Sequence, residues 1–190
     1  YRSDDVTEAI KKILHRTKNI EQQNEQLLSN DKNMGEKLNE ILSKLGSMSS
    51  TIKTLLPKLK ESINSLKVKT ASEYLDTIWG EVKVYYQEDY SLQATILYLQ
   101  GECARFAKGG NSKSYHERAY NLMKKAGKSD EQILTGAIYE ACRSRDYVQA
   151  DTYSKELRSV APHNYWGYVS ELMQADNLSE TVKTIPTYIS

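Results

Sequence analysis

Asp146-Tyr147-Val148-Gln149-Ala150-Asp151-Thr152-Tyr153-Ser154-Lys155-Glu156-Leu157 contains neither Gly nor Pro, and it runs on to a break at Ala161-Pro162-His163. Tyr147, Ala150 and Leu157 stand three and seven residues apart, a spacing that gathers side chains on one face of an α-helix. Pro162 has no amide hydrogen to give, so the helix ends before it.

The same period recurs from Ser72 onward and predicts helices near 72–88, 91–107, 113–126, 130–144, 147–160, 164–175 and 178–185. Breaks fall at Glu88-Asp89, Lys108-Gly109-Gly110-Asn111, Gly127-Lys128-Ser129 and Ala161-Pro162-His163. Ser129 and Asn164 are expected as N-caps and Gly127 as a C′ residue. Helices joined by such short turns form antiparallel hairpins, and hairpins in series form a solenoid or a small bundle. The fold class is all-α.

Tyr147, Ala150, Leu157 and Pro162 together resemble the second helix of a tetratricopeptide repeat, an aromatic followed by a small residue, an apolar residue and a proline at set offsets. Leu134, Ala137 and Ala141 fit the first helix of that repeat, while Ile138 stands where the family has a small residue. Ala119-Tyr120-Asn121-Leu122-Met123-Lys124-Lys125-Ala126 repeats the second-helix spacing, with Leu99-Gln100-Gly101 in its partner helix. The likeness covers about residues 94–185. It implies a scaffold that binds a protein or peptide on the concave surface of the first helices, lined by Tyr98, Arg105, Tyr139, Arg143, Trp166 and Met173. Tyr, Trp and Arg are the residues that dominate binding hot spots. Taken as residues alone, Tyr98, Tyr139 and Trp166 serve equally well as interior rings.

Residues 1–70 differ in kind. Apart from Tyr1 they hold no aromatic side chain, and they carry 13 Lys+Arg against 9 Asp+Glu, whereas residues 71–190 carry 13 against 16. Apolar residues in steps of three and four run from Val6 to Leu59 as an a/d heptad. This predicts one long coiled-coil helix over 1–70, oligomerising through Ile13, Ile20, Leu27, Leu38, Ile41, Leu45, Ile52, Leu55 and Leu59. A tetratricopeptide-like helical domain over 71–190 follows, with the boundary near Lys69–Ser72. A second row of Leu14, Leu28, Leu42 and Leu56 at e positions widens the stripe toward that of a bundle face. Arg16, Lys37, Lys44 and Lys58 at g positions meet almost no acids, which points to three or more strands or to a different partner helix. Gly46-Ser47-Met48-Ser49-Ser50 and Pro57 argue instead for shorter helices folded into a bundle. The unbroken heptad phase favours the rod.

Six lysines and one acid occupy Lys44–Lys69, with Lys53, Lys60 and Lys67 at heptad spacing. Such a stripe suits a solvated face, or contact with nucleic acid, an anionic membrane or an acidic protein. No aromatic ring interleaves with it to stack on bases.

The sequence carries no catalytic motif. His116-Glu117 lacks the second His of a zinc-protease helix, and Cys103 and Cys142 sit far apart, each beside Ala in a helical pattern. Lys108-Gly109-Gly110-Asn111-Ser112-Lys113 lacks phosphate-loop spacing and reads as a turn. No apolar run reaches the roughly 18 residues of a membrane span. The expectation is a non-enzymatic adaptor with no cofactor and no metal, its stalk multiplying a weak groove by avidity. The alternative is a regulatory or sensor subunit of a larger complex. The compartment is not written in the sequence, and a cytoplasmic setting is the default.

Overall fold

Aspartates cap three of the described helices. Asp89, Asp130 and Asp146 each accept a hydrogen bond from the backbone amide three residues on, at Leu92, Ile133 and Gln149. A side-chain oxygen there satisfies an amide that has no partner within the helix. Ser49 does the same for Ile52, and Asn164 accepts from the amide of Trp166. Asn164 thus caps as expected. Asp130 takes the role read for Ser129, whose hydroxyl instead donates to Glu156.

The computed structural model describes residues 32–107 and 110–174, with side chains from Met34. Among the described residues there is no strand. The helices are α1 (Lys32–Leu42), α2 (Ser50–Asn64), α3 (Val68–Tyr85), α4 (Tyr90–Ala104), α5 (Ser112–Lys125), α6 (Glu131–Arg143) and α7 (Tyr147–Val160). A 3-10 turn at Leu45–Ser47 joins α1 to α2, and another at Tyr165–Tyr168 leads into a helical run over 169–174.

From α2 onward each helix packs against the next, giving the hairpins α2–α3, α4–α5 and α6–α7 in series. The second helices meet along one side. Arg118 of α5 lies over the Trp79 ring of α3, and Tyr120 of α5 meets Tyr153 of α7 edge to face at 4.6 Å. The first helices α4 and α6 meet along the other. α1 lies against α4, and its Lys37 reaches Asp130 at the start of α6.

One hydrophobic cluster runs from Met34 through Leu56, Leu75 and Leu99 to Ile133, and a second joins α6 to α7 around Ile138, Ala150 and Leu157. Each fully buried aliphatic side chain contributes about 1.5–3 kcal/mol. α4 is the middle of the stack, with every residue from Leu92 to Cys103 buried.

The long coiled-coil rod is replaced by shorter helices over the described part of residues 1–70. The break lies at Ser43–Ser49, where Gly46 and the serines weaken the helix. Pro57 sits inside α2 and does not end it. Leu38, Ile41, Ile52 and Leu59 are buried in the chain's own core, and Leu45 and Leu55 pack on its edge. The e-position Leu56 is wholly buried and Leu42 partly so. The stripe is wide enough to be covered by the chain itself, and its phase persists because α1 and α2 turn it to the same core. Ile13, Ile20 and Leu27 lie outside the described residues. Lys69–Ser72, read as a boundary, falls within α3, and the larger core cluster passes through it.

Among the described residues two non-glycine residues have left-handed backbones, Leu66 (φ 59°) and Arg145 (φ 60°), and Gly127 (φ 72°) occupies the same position after α5. Each is the C′ residue of a Schellman-type ending, with bonds such as Lys67 N to Ser62 O at 2.9 Å and Asp146 N to Ala141 O at 2.8 Å. Gly127 meets the expectation. The two larger residues carry the strain of a Cβ in that conformation, on the order of 1 kcal/mol.

Candidate functional site

Glycine inside a helix costs about 1 kcal/mol relative to alanine, and a group too close for a Cβ is one reason to bear that cost. Two such glycines, Gly101 of α4 and Gly136 of α6, face the imidazole of His116 on α5 from either side. A Cβ on Gly101 would stand 2.9 Å from the ring, and one on Gly136 would stand 2.6 Å from Nδ1. His116 is fully buried, and Tyr98 meets its ring edge to face at 5.4 Å.

Around this ring the sequence places four polar groups. Arg105, the C-cap of α4, bonds Glu102 through both terminal nitrogens at 3.0 Å and Glu140 of α6 through Nε at 2.9 Å. Ser112 at the start of α5 donates to the other Glu140 oxygen at 2.9 Å. His116 Nε2 lies 3.2 Å from Glu102. Arg105 Nη2 lies 3.3 Å from the same Nε2, which donates to Glu102 in one tautomer and accepts from Arg105 in the other, while Nδ1 has no hydrogen-bond partner and lies beside Gly136. The Arg105 side chain is only 8 % exposed and those of Glu102 and Glu140 5 % and 4 %. Burial opposes the guanidinium charge, but the two carboxylates more than offset it and hold the group well above its ordinary value.

These contacts fasten three helices together and engage all three guanidinium nitrogens. Its plane also lies 4.2 Å from the centre of the Tyr139 ring. Tyr139 in turn meets Trp166 edge to face at 5.9 Å, and Trp166 lies 5.5 Å from Tyr165 with the rings tilted by 30°. The result is a ladder of planar groups, Arg105, Tyr139, Trp166 and Tyr165, leading from the buried cluster to the surface.

The structure thus brings together Arg105, Tyr139 and Trp166 from the six residues expected to bind a partner. Trp166 is half-buried and Arg143 is exposed one helical turn beyond Tyr139. Met173 is half-buried against the α6–α7 core. Arg105 and Tyr139 lie inside and act as supports of the ladder. Tyr98, 2 % exposed against His116, is an interior ring, the other reading its spacing allowed. Ile138, conspicuous for its size, is wholly buried toward α7, and the close approach falls at Gly136 instead.

Glu102, Glu140 and Ser112 escaped the sequence reading, and His116 was weighed there only as a metal ligand. Gly101 and Gly136 were the available signal. Among the described residues no cluster of side chains could hold a metal ion, and no helix is long and apolar enough to cross a membrane. Burial pushes the Cys103 thiol up to about 12, with Glu102 and Asp76 adding to it, and burial beside Asp151 does the same for Cys142. Thiols so held are inert as nucleophiles near neutral pH. No protein-family model, curated protein or solved structure matches the chain.

Proposed function

We propose that this chain is a non-enzymatic protein-binding module of tetratricopeptide-like hairpins, taking a protein or peptide segment along the side formed by α4, α6 and the 165–174 run. The ladder from Arg105 through Tyr139 and Trp166 to Tyr165 carries this reading. Aromatic rings held rigid from below present large contact area with little entropy left to lose. The exposed guanidinium of Arg143 beside them favours a segment with a carboxylate next to an apolar or aromatic residue. The ion cluster supports the reading as a positioning device, since its charges are consumed internally. Homo-oligomerisation through residues 6–59 remains part of the proposal only in its first repeats, around Ile13, Ile20 and Leu27, and would add avidity.

A random-peptide display library panned on the full chain tests this. A convergent acidic–apolar consensus is expected, with affinity reduced at least about tenfold by Trp166→Ala and by Arg143→Glu. Arg143 is exposed, so that variant folds normally. Absence of a consensus, or consensus peptides that bind both variants as well as the native chain, would overturn the reading.

A further inference from the structure

Between Glu40 and Glu73 the only acid is Glu61, against six lysines and no arginine. All six, Lys44, Lys53, Lys58, Lys60, Lys67 and Lys69, are exposed. Lys53 and Lys60 stand two turns apart on the outward face of α2, whose other face buries Ile52, Leu56, Leu59 and Ile63. Lys67 follows as the residue that opens α3. The ion pairs of the described residues are formed elsewhere, by Lys37, Arg105, Lys113, Lys124 and Arg158. Next to Lys67 stands Leu66, 44 % exposed and in the left-handed conformation that usually falls to glycine. A strained, solvent-facing leucine among lysines is locally unfavourable twice over, and such positions cluster at functional sites.

We infer that this ridge is a docking surface for an anionic lipid bilayer, with the lysines among headgroup phosphates and Leu66 reaching the acyl boundary. Ammonium groups act as point charges on such a surface without geometric matching. A nucleic acid would call for stacking rings or guanidinium forks, which residues 43–69 lack, and would leave Leu66 without a role. The apolar face of α2 is spent in the core, so the attachment is peripheral. The ridge lies at the α2–α3 end of the hairpin series and the aromatic ladder at the other end, so lipid and a protein partner are held independently.

Flotation of the full chain with phosphatidylcholine vesicles, with and without phosphatidylserine, tests the inference. Binding is expected only to the phosphatidylserine vesicles and should weaken as salt is raised. Lys53→Glu with Lys60→Glu should reduce affinity at least about tenfold. Leu66→Gly should reduce it a few-fold while raising the thermal midpoint, a pairing of opposite signs that damage to the fold would not produce. Failure of the native chain to float, or a double variant that floats like the native chain, overturns the inference. So does duplex DNA displacing the vesicles from a Leu66→Gly variant that binds like the native chain, since the ridge is then a nucleic-acid surface.

Discussion

Arg105 and Glu140, 35 residues apart in sequence, meet at 2.9 Å in an interior from which water is almost excluded. Removing one side of such a pair leaves the other charge buried and uncompensated. Glu140→Ala should therefore destabilise the chain by about 3–5 kcal/mol, measured as a shift of the urea midpoint. Glu140→Gln, which keeps an oxygen for Ser112 or Arg105, should cost less. Because Arg105 supports Tyr139, both variants should also diminish the near-ultraviolet circular dichroism of the Tyr139–Trp166 pair.

Gly136→Ala improves helix propensity and should nonetheless destabilise, by about 1–3 kcal/mol, because its methyl group meets the His116 ring. In a His116→Ala background the same change should become neutral or stabilising by up to about 1 kcal/mol. A double-mutant cycle with additive effects would mean that the ring is not what the glycine accommodates.

Arg145 is exposed and sits at φ 60° between α6 and α7. Arg145→Gly should raise stability by on the order of 1 kcal/mol by removing a Cβ from the left-handed conformation, partly offset by the greater freedom of the unfolded chain. Differential scanning calorimetry would show the gain as a higher midpoint.

Asp146 caps α7 and accepts from Lys113 at 3.2 Å. The hydrogen bond from Lys113, that from the Gln149 amide and the lysine charge hold its carboxyl below the usual range. A depressed carboxyl adds stability above its unfolded value of about 3.9, and the gain is lost as pH falls through the folded value. Asp146→Asn keeps a capping oxygen and should lower stability at neutral pH by less than about 1 kcal/mol, since the pair is partly exposed. The difference between variant and native chain should shrink toward zero below about pH 4 in thermal melts.

Periodicity carried most of the architecture. The helices from α3 to α7 announce themselves because an apolar face every 3.6 residues is a local property, and Gly127 and Asn164 mark their ends in the same local way. Over residues 32–64 shorter helices stand in place of the rod for a related reason: heptad phase records which face is covered, and is silent on whether the cover is a second chain or α3 and α4 of the same one. Arg105 and Trp166 were legible as residue types that recognise partners. Their linkage through Tyr139 depends on how far α4, α6 and the 165–168 turn are offset from one another, a tertiary quantity. Glu102 and Glu140 carry no signal of their own in the sequence, because a side chain's charge does not say that a guanidinium will follow it inside.

The chain has two indoles, and they lie toward opposite ends of the hairpin series, Trp79 beneath Arg118 and Trp166 beside Tyr139. With Trp79 replaced by phenylalanine, indole emission would come from the ladder alone. The molecule is thus equipped with an optical gauge at its most interesting surface, readable without a dye.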